Sequence, residues 1–179
     1  MKKLPFLIIG LLTSLSMFGS SCPVSPKKIK TYNSVEEILR TIDPNILPHG
    51  PVSDEFGGNT AYIEVLNQKA TEIRNYIAAK YYEDLSNLSN AEVIVLGMIM
   101  IPFESRDNIP GIISNQQAFD CMMTAIGVAS GIYALYSLWT SGASTASILA
   151  TLKSILKFGY GWWMVGYGVW KFGECVGWW

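Results

Sequence analysis

The chain has a single histidine, His49, in 179 residues. A zinc site draws three or four ligands from His, Cys and carboxylate. His49, in Pro48-His49-Gly50-Pro51 with Asp54 and Glu55 nearby, supplies too little geometry for one, so no metal is expected. The same scarcity bears on nucleophilic catalysis, because a Ser-His-Asp arrangement would need His49 and no Gly-x-Ser-x-Gly elbow is present. Phosphate loops, dinucleotide fingerprints and calcium loops are missing too. Neither a catalytic residue nor a cofactor is therefore expected, and the reading is non-enzymatic. Basic charge is also short: 13 Lys and Arg stand against 14 Asp and Glu, a formal charge of −1. A nucleic-acid partner, which demands a basic face, is excluded on that ground. The apolar stretch near the C-terminus is short as well. The stretch from Phe158 to Trp170, between Lys157 and Lys171, is 13 residues and too short to span a bilayer.

What is present begins at the N-terminus. Lys2 and Lys3 precede an apolar run from Leu4 to Leu12, and Ser14, Ser16, Gly19, Ser20 and Ser21 follow. Charge, then apolar core, then small residues is the order read by the secretion machinery, so residues 1–21 are expected to be a cleaved signal. Within it, Met17-Phe18-Gly19-Ser20-Ser21-Cys22 resembles a bacterial lipoprotein signal. Gly19 stands where Leu is usual, a departure that relaxed versions of the motif tolerate. The resemblance implies that Cys22 is the first residue of the mature chain and carries diacylglycerol, making membrane lipid a partner and the cell envelope the location. Ordinary cleavage near Ser20 or Ser21, leaving Cys22 a thiol, is the alternative. Pro23-Val24-Ser25-Pro26-Lys27-Lys28 lacks the acidic run that resembles a surface-export signal, which leans the expectation towards a periplasm-facing position.

Without residues 1–21 the charge is −3, and it is unevenly spread. Residues 23–118 carry eight basic and twelve acidic side chains; residues 119–179 carry only Lys153, Lys157, Lys171, Asp120 and Glu174, with all six tryptophans. The chain therefore divides into a signal (1–21), a tether (22–33), a soluble helical region (34–118) and a hydrophobic module (119–179). The fold class expected is all-α, with amphipathic helices in the N-terminal half and a hydrophobic, Gly- and Trp-rich helical hairpin at the C-terminus. Ser34 and Glu37 stand in a capping-box relation that starts a helix ending before Pro44. Prolines and glycines over 43–58 predict a loop. Tyr62, Val65, Leu66, Ala70, Ile73, Tyr76, Ile77 and Tyr81 then recur at helical spacing, predicting a helix from Asn59 to about Leu85. Ser89 and Glu92 repeat the cap before Val93–Ile101, a run without period that is buried helix or buried strand, helix being favoured. Pro102 is expected to end it and Phe103–Asn115 to be loop.

Phe119–Trp139 reads as one apolar helix with Gly127 and Gly131 four apart, a stripe suited to close helix packing. Gly142 turns the chain, and Ala143–Lys157 forms the next helix with Ile148, Leu149, Leu152, Ile155 and Leu156 on one side. Gly159 and Gly161 place a corner before the aromatic end of the chain. Trp139, Trp162, Trp163, Trp170, Trp178 and Trp179 are candidate contacts for a membrane or a protein partner, since an indole joins an apolar body to a polar handle. Export into an oxidising compartment, with Cys22 used for lipid, leaves Cys121 and Cys175 as an even pair, and a disulfide is predicted between them. Cys121, Cys175, the Gly127/Gly131 stripe and the final Gly-Trp-Trp resemble the two-cysteine helical tails of small exported bacterial proteins, some of them bacteriocin-like. Two functions follow as expectations: a membrane-anchored envelope protein whose C-terminal third is an interaction module, or a secreted membrane-active effector.

Overall fold

Residues 30–50, 61–105, 115–126, 132–156 and 160–179 are described by the structure, a computed structural model. Among them are seven helices and no strand, as expected for an all-α chain: α1 Val35–Leu39, α2 Ala61–Tyr81, α3 Asn90–Ser105, α4 Asn115–Ile126, α5 Ile132–Ser141, α6 Thr145–Ile155 and α7 Trp162–Val176. A 3-10 turn covers Pro44–Ile46. Residues 31–179 group as one compact unit. The anticipated signal, Cys22 and most of the tether lie outside the described residues, as do Asn59, Gly127, Gly131 and Gly159.

Local chemistry starts the helices. Ser34 Oγ accepts from the Glu37 amide at 3.1 Å, while the Glu37 carboxylate reaches one residue further back than a capping box requires, to the Asn33 amide at 2.8 Å. Ser89 and Glu92 make the full reciprocal pair, Ser89 N to Glu92 Oε2 at 2.6 Å and Glu92 N to Ser89 Oγ at 3.3 Å. α2 lays Tyr62, Leu66, Ala70, Ile73, Tyr76 and Ile77 into the core at the predicted spacing. It stops at Tyr81, four residues before the anticipated end. Tyr82 adopts φ 57°, a left-handed conformation that terminates a helix, and Asp84 holds the next turn through the amide and hydroxyl of Ser86.

The apolar run over residues 93–101 is helix. α3 is buried on every side from Ala91 to Glu104, which is why its sequence shows no amphipathic period. It packs against α1, α2, α4, α6 and α7 and is the axis of the domain. Gly97 lets α2 and α1 close on it: a Cβ there would meet Ile73 Cδ1 at 2.8 Å and Val35 Cγ1 at 3.1 Å. Pro102 does not end this helix, contrary to expectation; α3 continues through Phe103 and Glu104 to Ser105. A proline removes one backbone bond, and here the extra turn is held from outside by the side-chain bonds of Glu104.

The largest departure lies in the last third. Phe119 and Trp139, expected at opposite ends of one helix, would be about 30 Å apart at 1.5 Å per residue. Their rings stack at 5.1 Å. The segment is two helices, α4 and α5, and α5 brings Trp139 back onto Phe119 of α4. The expected C-terminal hairpin is consequently four helices, of which α4 and α7 pack most extensively. The corner predicted at Gly159 and Gly161 has its counterpart in the separation of α6 from α7, with Gly161 as the N-cap of α7.

Candidate interaction surface and the bonds that frame it

Glu104 is the polar centre of the core. Its side chain is 3 % exposed. Oε1 accepts from the phenols of Tyr76 at 2.6 Å and Tyr81 at 2.7 Å, and Oε2 accepts from the Val35 amide at 2.9 Å. Lys80 Nζ lies 3.5 Å from Oε1 and donates to Tyr76 Oη at 2.5 Å. One carboxylate thereby ties the start of α1, the end of α2 and the end of α3. Burial, reinforced by the bond to Glu104, pushes the Tyr76 phenol far above its ordinary pKa, so it stays a donor. Beside this knot, Tyr32 donates to Glu72 at 2.9 Å and Lys69 donates to the same oxygen at 2.8 Å. Burial and that bond push the Tyr32 phenol up to about 12. Burial works against the Glu72 carboxylate, but bonds from Lys69, Tyr32 and Gln68 outweigh it and hold its pKa below the ordinary value. These groups are mutually satisfied, an arrangement that fixes helices rather than one that presents a reactive group.

Cys121 in α4 and Cys175 in α7 are bonded, with Cα atoms 5.6 Å apart. Cys121 is buried and Cys175 exposed. Beyond it Gly177, at φ 74°, ends α7 and turns the last two residues back. Trp179 then covers Gly173, where a Cβ would stand 2.1 Å from the indole. Trp178 meets Phe172 edge-on at 5.2 Å and donates from Nε1 to Glu36 Oε1 at 3.3 Å. Glu36 is buried, and burial raises its pKa against the lowering effect of that indole.

Along α7, Trp163, Tyr167 and Trp170 stack in series at 5.3 and 5.9 Å, and His49 continues the series on Trp170 at 4.9 Å. Lys171 Nζ lies 4.8 Å from the Trp170 ring centroid. Each face is covered by the next ring, so the ladder is a packed seam and not an open aromatic platform. His49 is exposed, yet its ring also pins its loop to α7, with Nε2 2.9 Å from the Pro44 carbonyl. Its neighbour Pro48 is admitted by Gly166, where a Cβ would meet Pro48 Cδ at 2.8 Å.

α5 makes no extensive backbone pairing with another described helix. Side chains hold it: Leu135 is buried, and Trp139 stacks on Phe119 and meets Phe103 edge-on at 5.3 Å. Its outer face carries Ala134, Tyr136, Ser137 and Thr140, all exposed. α6 buries Ile148, Leu149 and Leu152 and is fastened at its end by Lys153 to Glu83 at 2.6 Å. No charged residue occurs from Cys121 to Leu152. Three of the hydroxyls here turn inward along their own helices. Thr140 Oγ1 donates to Tyr136 O at 3.0 Å, Ser141 Oγ to Leu138 O at 3.2 Å and Thr151 Oγ1 to Ser147 O at 3.0 Å.

Of the residues singled out from sequence, the structure brings Cys121 and Cys175 together and places all six tryptophans half-buried. Trp139, Trp162, Trp170, Trp178 and Trp179 pack against the core. The Nε1 atoms of Trp163 and Trp179 are buried without a partner. Gly127, Gly131 and Cys22 lie outside the described residues. Among the described residues, no helix is long and apolar enough to cross a membrane, and no three His, Cys, Asp or Glu side chains come together as metal ligands. Sequence reasoning missed the Glu104 knot, whose sole signal was a carboxylate just beyond an apolar run, and the His49 contact, which had none. Compared with protein-family models, curated proteins and solved structures, the chain matches none.

Proposed function

We propose that this chain is an exported, lipid-anchored protein of the bacterial cell envelope that acts by contact and not by catalysis. The observation that supports it is the cysteine arithmetic. Of three cysteines, Cys121 and Cys175 are paired inside the helical domain, and disulfides of this kind belong to oxidising compartments. The remaining cysteine, Cys22, follows a charged, then apolar, then small-residue segment of the kind that directs export. A thiol at that position is suited to acylation, and acyl chains at about 0.8 kcal/mol per buried methylene hold a protein on a membrane without a spanning helix. The domain beyond is the working part, its uncharged stretch of α5 and of α6 as far as Leu152 offered to lipid or to a protein partner.

A secreted membrane-active effector is the second reading, favoured by the absence of charge from Cys121 to Leu152. Metabolic labelling with a palmitate analogue separates the two. The expected result is label on the wild-type chain in the membrane fraction and none on Cys22→Ser. Unlabelled wild-type protein free in the medium would sink the anchored reading.

A further inference from the structure

We propose that the outer face of α5, continued by the first turns of α6, is the surface that rests on the bilayer at headgroup depth. The inference rests on the anchored reading and names the face that meets the membrane. Three observations carry it. The first is position. Nine residues, ten backbone steps, separate Cys22 from Tyr32, whose phenol is bonded into the domain, so a fully extended tether reaches about 35 Å. A domain held that closely stays within reach of the lipid surface. The domain begins at the C-terminal end of α3, where Val35 N bonds Glu104, and α5 sits at that same end, with Trp139 against Phe103.

The second observation is charge. The 32 residues from Cys121 to Leu152 contain no Asp, Glu, Lys, Arg or His. α2, by contrast, exposes Glu64, Gln68, Thr71, Asn75 and Lys80. Desolvating a charge at a bilayer is costly; desolvating Ala134 and Tyr136 is not. Tyr136 is 54 % exposed, and a phenol with an apolar ring and a polar tip suits the headgroup zone.

The third is hydrogen bonding. A serine or threonine leaving water loses its partners unless it brings its own. Thr140, Ser141 and Thr151 already donate to carbonyls of their own helices, and Ser144 and Ser147 bond each other at 3.0 Å. Shedding water at Thr140, Ser141 and Thr151 therefore orphans no donor there, and one of the Ser144/Ser147 hydroxyls is satisfied by the other. The contact is shallow, because among the described residues no helix is long and apolar enough to cross.

The test uses the chain from residue 22 onward with Cys22→Ser and an N-terminal hexahistidine bound to nickel-chelating lipid in phosphatidylcholine vesicles. That tether fixes the distance whether or not Cys22 is naturally acylated, so loss of palmitate labelling and failure of this test are separate results. Environment-sensitive nitrobenzoxadiazole is placed at Tyr136→Cys and, for comparison, at Thr71→Cys on α2. The expected result is a blue shift and at least twofold quenching by nitroxide lipid at position 136, neither at position 71, and loss of the difference with Ser137→Glu added. Equal signals at both positions, or none at 136, would overturn the proposal. So would shielding of position 136 in lipid-free solution at doubled molar mass, which would make this face a contact between copies of the chain.

Discussion

A single side chain, Glu104, holds three helices by their ends. Its value lies in being the common acceptor of Tyr76, Tyr81 and the Val35 amide within a site closed to water. Removing the carboxylate takes an acceptor from each of the three, leaving Tyr76 the Asn33 carbonyl at 3.0 Å, and a buried donor left unsatisfied costs about 1–3 kcal/mol. Glu104→Leu should lower the unfolding free energy by about 3 kcal/mol or more in urea titration; an unchanged midpoint would show that water replaces the carboxylate. Glu72 sets a pH dependence. Its pKa in the folded state lies below the unfolded value, so the charged form is the one that folding favours. Stability from Glu72 is therefore present above the ordinary carboxylate range and lost as pH falls through the folded pKa. Glu72→Gln should flatten the acid limb of the stability curve below pH ~4.5; an acid limb as steep as wild type would refute the assignment.

At the scale of the element, what could be read from sequence was local. The caps at Ser34 and Ser89, the buried face of α2 and that of α6 each depend on residues three or four apart, and all appear where the spacing put them. The paired cysteines were legible too, through compartment and parity. Distance defeated the rest. Pro102 was read as a stop because the bonds that carry α3 past it come from α1 and α2. The run Phe119–Trp139 was read as one helix because its apolar residues look alike whether they face α3 or each other. α7 shows a finer dependence, since its last full turn is shaped by what is missing at Gly173. Gly173→Ala would put a methyl into the Trp179 indole, at 2.1 Å from a ring carbon. The tail must then lift, undoing the Trp178–Glu36 bond as well. A loss of about 1–3 kcal/mol and a red-shifted tryptophan emission are expected. Identical emission from the variant and the wild type would mean that the tail does not lie on α7.

Across the whole molecule, the disulfide closes a loop between residues 54 positions apart. On the chain-entropy model such a loop stabilises by about 4 kcal/mol, comparable with the total margin of a small domain. The double variant Cys121→Ser/Cys175→Ser should therefore unfold at markedly lower urea than the oxidised chain and match the chemically reduced wild type. A midpoint independent of reductant would exclude the bond. The Trp178–Glu36 contact joins positions 142 residues apart and so bears on the order of events in time. In synthesis from the N-terminus, α1 is made well before Trp178 exists. Until then the Glu36 carboxylate has no indole to meet, Gly173 has no cover and Cys121 has no partner. The helices that form early cannot close over a finished core, and α1 stays uncovered at Glu36 until α7 and the turn after it are in place.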